Sequence, residues 1–485
     1  MPAWHIRPWF SRVLAVVLAA TAPLAHADAS TLWAPDAADR HRLVLLADEA
    51  GLAVPLNHWP LPRDGVVRAL DALPSALPPA LDDARGALRR ALAAQEHARL
   101  SLIVRTPHEA LSGFAADARP GRVELRAAPW RAGGAVLQVG ARIDRQDGEW
   151  RLRADDSVLA VEALGVQLQA WSHRAWWGPG WQSSLLLGHN APPLPGAGVQ
   201  RASTVASDHP WLAWMGPWSA EVFVARLENA GGAYLMGNRI TLRPWPALEI
   251  GLGRTAQWGA HGRPRSLRSF VRTLLGESTN VIDPALAPQD PANGLAGIDL
   301  RLRCPAGLRC AAYMQWIGED EAGWAPSKFL ALAGLESWSA DGRHRVLAEW
   351  AHTACRGAPG QTPVSGCAYR HHAYPEGYTH DRRWLGAGAG PDSKLLTLGW
   401  LDAQRDLSLR LHAGTIGSRV GRHSALTGDP QHAGHVVGAG GHRSVRWGAA
   451  TLRGELDWMR IRAADGERTE ARIGFEATWT FAPTP

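Results

Sequence analysis

Lysine is almost missing from this sequence: Lys328 and Lys394 are the only two among 51 basic residues. The 45 acidic residues are interspersed with the arginines and leave a net charge of +6. No basic block tracks a phosphate backbone, so nucleic acid is not an expected partner. Long apolar runs are lacking too: beyond the N-terminal region no stretch reaches the ~18 residues of a transmembrane helix. The motifs of common enzymes are absent, with no G-x-S-x-G, H-E-x-x-H, G-x-x-x-x-G-K or strand-to-helix G-x-G-x-x-G. Neither an enzyme nor a cofactor is expected, although a dispersed catalytic set leaves no motif.

What is present begins with an export signal. His5, Arg7 and Arg12 precede the mostly apolar run Val13 to Leu24, and Ala25-His26-Ala27 forms an A-x-A cleavage site. Residues 1–27 therefore read as a signal peptide, and the mature chain is expected to start near Asp28. Export makes the four cysteines readable. Cys304 with Cys310 and Cys355 with Cys367 are the simplest of the three possible pairings in an oxidising compartment. Both loops are expected near the outer face. Neither pair has the C-x-x-C spacing of a structural zinc site, and no metal is expected.

The hydrophobic period changes along the chain. Leu43, Leu46, Ala47 and Ala50 are spaced as on a helix; Asp64 can cap a second helix carrying Val67 and Leu70, and Leu88, Ala91 and Ala98 suggest a third. Residues 28–117 are expected to form an N-terminal helical unit or plug. From about residue 118 to 485 the period is two. Leu137, Val139, Ala141 and Ile143 alternate with polar neighbours, as do Ile298, Leu300 and Leu302, and finally Ala471, Ile473, Phe475, Ala477, Trp479 and Phe481.

Strands with one apolar face suit a soluble sandwich or propeller, or a membrane barrel whose apolar faces meet lipid. The 24 Trp outnumber the 7 Phe and 5 Tyr together. Trp150, Trp218, Trp258, Trp316, Trp350, Trp400, Trp447 and Trp479 fall in or at the ends of strands, as in an interfacial girdle. Some connections are short, as at Asp147-Gly148. Others are long and polar: Gly188 to Trp211, Gly259 to Asn293 and Ala351 to Asp392. The expectation is an all-β, antiparallel transmembrane barrel of roughly 16 to 18 strands. Arg142, Arg151, Arg153, Arg301, Arg303 and Arg472, opposed by Asp144, Asp155, Asp299 and Glu476, are expected to line its lumen.

Candidate binding residues are few. Glu319 and Asp320 read more readily as a solvated turn than as an acid/base pair, because neighbours on a strand point to opposite faces. His371, His372, His380 and Asp381 could suggest a metal, but an exposed loop gives them no ligand geometry. The aromatics Tyr369, Tyr374, Tyr378 and Trp384 stand among His372, Glu376, Asp381 and Arg382. Aromatic faces beside hydrogen-bonding groups suit a sugar, and loop packing is the alternative. The glycan-binding candidates are Tyr374, Tyr378, Arg382, His372, Asp381 and Trp384. The densest motif is WWGPGWQSSL, with Trp176, Trp177, Gly178, Pro179 and Trp181 in a tight turn whose indoles pack on one another or on a ligand, followed by Asn190 and Arg201.

The stretch Trp176 to Ala202 resembles the signature segment of the Wzi family of capsule-assembly proteins. Asn57-His58-Trp59-Pro60-Leu61, Leu248 to Trp258, Asn293 to Asp299, Ile317 to Asp320, Ala348 to Thr353, Tyr374 to Leu385 and Gly390 to Ser393 continue the likeness in the same order. Two positions depart from it: His189 stands where a small polar residue is expected, and Ala482-Pro483-Thr484-Pro485 displaces the terminal aromatic signal. The resemblance implies an 18-stranded barrel in the outer membrane of a Gram-negative bacterium, with a helical bundle at its periplasmic end. It further implies a lectin-like role with capsular or exopolysaccharide as partner. Outer-membrane lipid, lipopolysaccharide and the barrel-assembly machinery are the other expected partners, and a monomer the expected state. A sugar or solute porin is the competing function.

Overall fold

The computed structural model describes residues 29–481 except 117–118, 120, 147, 277–291, 306, 323–324, 357–365, 418–432 and 465. The expected leader, residues 1–27, and the tail Ala482–Pro485 lie outside the described residues.

Most of the chain is one antiparallel sheet of 21 hydrogen-bonded segments. Among the described residues the sheet closes on itself. The last segment, Gly466–Phe481, pairs with the first, Ala98–Arg105, in the register Trp479↔Leu100. Ala98–Arg105 then pairs with Arg122–Arg126, and the pairing proceeds from neighbour to neighbour around the ring. Closure removes the unpaired backbone groups that a sheet in lipid could not tolerate.

The side chains alternate as a barrel in lipid requires. Leu398, Leu411, Ile473 and Phe475 point outward and are exposed, whereas Thr397, His412 and Arg472 between them point inward and are buried. Arg142 and Asp144 are likewise buried while Ile143 is exposed, and Asp299 and Arg301 are buried beside exposed Ile298 and Leu302. A cation turned the other way would cost roughly 2–4 kcal/mol near the midplane. Instead the arginines meet carboxylates inside: Arg142 lies 2.6 Å from Asp155, Arg239 2.9 Å from Asp299, and Arg472 2.9 Å from Asp457.

Three helices precede the ring: α1 (Ala37–Glu49), α2 (Arg63–Asp71) and α3 (Pro79–Ala94). Asp36 caps α1 by accepting the Asp39 N–H at 2.7 Å. Leu43 and Leu46 of α1, Val66 and Leu70 of α2, and Leu88 and Leu92 of α3 share one buried core with Trp59. The helices sit against the short turns of the barrel. His41 Nε2 is 2.8 Å from the Gly342 carbonyl, and Glu49 accepts from Arg303 and from Trp338 Nε1, both at 3.0 Å.

Two expectations need correction. The boundary between 117 and 118 falls inside the barrel, because Ala98–Arg105 is a stave of the ring. Ala98 continues a helical spacing, but α3 stops at Ala94; beyond it Leu102 and Val104 are exposed while Ser101 and Ile103 are buried, a period of two. Both expected disulfides are present, with Cα separations of 5.3 Å for Cys304–Cys310 and 5.9 Å for Cys355–Cys367. They lie at opposite ends. Cys304–Cys310 closes a turn at the helix end, where the Arg309 carbonyl accepts the Trp338 N–H, and only Cys355–Cys367 belongs to the long-loop end.

Candidate functional site

Three connections fold inward from the long-loop end: residues 106–116, 174–193 and 366–393. The segment 174–193 fills the lumen, with Trp176, Trp177, Leu185 and Leu186 fully buried. Its backbone cannot form a regular helix through Trp177-Gly178-Pro179-Gly180-Trp181. Gly178 has φ +140°, and a Cβ on Gly180 would stand 2.1 Å from the Ser183 carbonyl oxygen, so both positions require glycine.

Wall carboxylates and amides satisfy this buried backbone. Glu349 accepts the N–H groups of Trp181, Gln182 and Ser183 at 2.7, 3.1 and 2.7 Å. Glu336 accepts Trp181 Nε1 at 2.7 Å. Gln315 accepts the Leu185 N–H and donates to the Trp177 carbonyl, at 2.7 and 2.8 Å. A buried amide without such a partner would cost about 1–3 kcal/mol. From the helix end, Arg40 of α1 donates to the carbonyls of Gly180 and Pro179, both at 2.8 Å, and stacks over Trp181 and Phe114. Burial pulls the Arg40 guanidinium down to about 10, which leaves it charged at neutral pH. Further in, Trp176 and Trp177 pair as a short strand with Trp59 and His58, so the two ends of the filling meet.

The indoles of the motif therefore pack on other rings. Trp176 meets Phe114 at 5.3 Å and Trp177 meets Phe223 at 5.5 Å, and no pair among the three indoles is in ring contact among the described residues. His189 fits this cluster: it lies 5.2 Å from both Phe114 and Trp176, and its Nδ1 accepts the Ala115 N–H. Asn190 donates to the Trp384 carbonyl at 3.0 Å. Arg201 is apart from the rest, at the helix end, with its guanidinium stacked 4.1 Å over Trp218 and donating to the carbonyls of Val205 and Trp218.

The loop 366–393 corrects the expectation of an exposed aromatic cluster. Tyr369, Tyr374, Tyr378 and Trp384 are all at most 1% exposed. Tyr369 hydroxyl donates to the Leu185 carbonyl at 2.9 Å and accepts from the Ala387 N–H at 3.1 Å, and Tyr378 hydroxyl reaches the Leu186 carbonyl and Thr255. Burial drives both phenols well above their ordinary range, so they remain hydrogen-bond donors. Glu319 is also buried rather than solvated, and accepts the Tyr369 N–H at 3.0 Å. His380 uses both ring nitrogens inside the fold, on the Glu228 N–H and the Pro193 carbonyl. Asp381 is tied to Asn229 at 2.7 Å and to Arg153; burial raises its carboxyl, but Arg153 and His380 outweigh that and hold it below the usual carboxylate range.

Of the predicted glycan contacts, the structure leaves two side chains open to solvent, His372 and Arg382. They lie on the outer side of the buried layer, with Glu376 partly exposed and in contact with His261 at 3.0 Å. The carboxylates and amides that seat the filling escaped sequence reasoning: Glu349, Glu336, Gln315, and Glu249, which accepts the N–H groups of Leu56 and Asn57 at 2.8 and 2.7 Å. Their only signal was a polar residue at an inward position of a period-two strand.

Comparison with known proteins agrees with this geometry. The family model described as capsule assembly protein Wzi matches residues 109–463. A Klebsiella pneumoniae chain, known as an uncharacterized 55.8 kDa protein in the cps region, is 33% identical over 201 residues, spanning 40% of this chain and 39% of that relative's length. A solved structure, described as Wzi, an outer-membrane protein involved in group 1 capsule assembly in Escherichia coli and a carbohydrate-binding β-barrel, matches with a TM-score of 0.77. It is 24% identical, and the match covers 92% of this chain and 99% of that one.

Proposed function

The chain belongs to the Wzi family of capsule-assembly proteins and is an outer-membrane β-barrel, and from that premise we propose that it binds capsular or exopolysaccharide at the cell surface through its long-loop end. With the pairs 122–126/130–132, 135–138/140–146 and 149–153/157–163 each taken as one stave, the 21 segments become eighteen staves, with the three helices at the periplasmic mouth. One observation carries the reading: the lumen is filled from both ends, so a polysaccharide meets the outer surface of the filling and not a pore. Buried Tyr374, Tyr378, Asp381 and Trp384 set the shape of that surface, and His372 and Arg382 supply contacts. Each contact is weak, and a chain of repeated sugars gains from many copies in the membrane. The protein acts as a monomer, inserted by the barrel-assembly machinery, with no catalytic step.

The test separates binding from transport. Full-length protein in a planar bilayer is expected to show no large stable conductance, whereas large steady pores would restore the porin reading. His372→Ala with Arg382→Ala is expected to leave folded barrel in the membrane while polysaccharide shifts from cells to medium. Unchanged cell-attached polysaccharide at normal expression would remove this loop from the binding surface.

A further inference from the structure

A fourth helix, Leu267–Leu275, belongs to the long connection between the staves Leu248–Trp258 and Ala292–Arg303. Its place is unusual: it packs on the outside of the barrel. Asn238 and Arg254 are cross-strand partners, on the face opposite that of lumenal Arg239. Asn238 Nδ2 donates to the Leu274 carbonyl at 3.3 Å, and Arg254 donates to the Thr273 carbonyl. Trp258 donates to Ser269 and meets Phe270 edge-on at 5.7 Å. Met236 and Ala256, on the same outward face, are buried, whereas Leu252 farther along is 47% exposed. Polar outward groups at Asn238 and Arg254 would be costly against lipid, and the helix hides them by offering the carbonyls of its last turn.

The opposite side of this helix is apolar and uncovered. Leu267, Val271 and Leu275 recur every four residues, on one stripe, and are 78%, 42% and 64% exposed. Arg254 is four residues below Trp258, about 13 Å at the rise of a strand, so the helix lies against the outward wall at the rim of the lipid band. The segment itself carries one sign of charge. From Gly259 to Gly276 the chain has Arg263, Arg265, Arg268 and Arg272 and no acidic residue. Arg265 and Arg268 are exposed.

We propose that this helix is a docking site for lipopolysaccharide of the outer leaflet, with the stripe Leu267, Val271 and Leu275 against its acyl chains and Arg265, Arg268 and Arg272 toward its lipid A phosphates. The proposal rests on the outer-membrane placement above and is independent of whether the protein binds polysaccharide. An apolar stripe outside a barrel wall faces acyl chains, and a run of arginines beside it selects a lipid whose head group is anionic. The site would fix the long-loop end to the surface on which the polysaccharide is gathered.

The experiment uses full-length protein purified in detergent and exposed to bis-phosphorylated lipid A, with lipid A retained per barrel measured by mass spectrometry. Arg268→Glu with Arg272→Glu is expected to lower retention at least tenfold, and Arg268→Lys with Arg272→Lys to keep most of it. Leu267→Ser with Leu275→Ser, which leaves every arginine in place, is expected to lower retention several-fold. Each variant is checked for the unheated, folded band on a gel, and the lysine pair and serine pair decide the matter if the glutamate pair does not fold. Equal retention by the glutamate pair and the parent, or equal retention of phosphate-free lipid A, overturns the proposal. So does a glutamate pair that loses polysaccharide and keeps lipid A, because the arginines then serve the glycan. Failure of the parent to bind polysaccharide would count against the proposed function alone.

Discussion

Glu349 on the barrel wall accepts the Trp181 N–H at 2.7 Å across 168 positions of sequence. The same carboxylate takes the next two backbone N–H groups and the Tyr313 hydroxyl, so one side chain holds the turn that blocks the lumen. Replacing it by alanine strands four buried donors, three N–H groups and the Tyr313 hydroxyl, at about 1–3 kcal/mol each. Glu349→Ala is therefore expected to loosen residues 181–190 toward protease and to produce bilayer conductance, with Glu349→Gln intermediate. A closed, protease-resistant Glu349→Ala barrel would show that the turn is held by its rings alone.

The outward register makes a second prediction. Leu411 and Leu398 are cross-strand partners on the lipid face, both about half exposed. Leu411→Arg should destabilise the barrel by roughly 2–4 kcal/mol, seen as a lower temperature for loss of the fast-migrating gel band. Insensitivity to this change would mean that the face meets water.

The two disulfides are expected to act locally and at opposite ends. Loops of 6 and 12 residues give roughly 2–3 kcal/mol each in the entropic account. Cys355→Ser with Cys367→Ser should raise hydrogen exchange in residues 366–393 and leave the helices unchanged. Cys304→Ser with Cys310→Ser should instead affect the turn beneath α1. The opposite pattern would contradict their placement.

His41 gives a pH dependence. Its Nδ1 accepts from Arg345 and its Nε2 donates to Gly342, so the docked ring is neutral. Burial, helped by the Arg345 charge, pushes its value down from 6.5 to about 3. A folded value below the unfolded one means that the contribution is complete above about pH 6.5 and is lost as the pH falls toward 3. Protease nicking of residues 29–62 should increase over that range, and His41→Gln should flatten the change. A parent protein equally resistant at pH 4 and pH 7 would refute the linkage.

The barrel was legible in the sequence because lipid imposes a period of two that water-soluble cores disguise. Ile473 and Phe475 could be assigned outward, and Arg472 inward, from alternation alone. Ala98–Arg105 was not legible as a strand, since eight residues fit a helical spacing as well as a pleated one until their partner at the far end of the chain is known. The aromatic loop misled for another reason. Tyrosines among histidines and acids look alike whether they face solvent or fold into a polar lumen, because both settings supply hydrogen-bond partners. Only the pairing of Tyr369 and Tyr378 with carbonyls of residues 185 and 186 distinguishes the two.

The seam between Ala98–Arg105 and Gly466–Phe481 has a consequence in time. The stave made first waits for the stave made last, and Ser101 and its partner Thr478 are 377 positions apart. Until the whole chain is delivered, the growing sheet has two raw edges and contents it cannot yet enclose. Such an intermediate keeps two rows of backbone groups unpaired until the seam forms, and a chain that loses its final stave leaves Ala98–Arg105 without that partner.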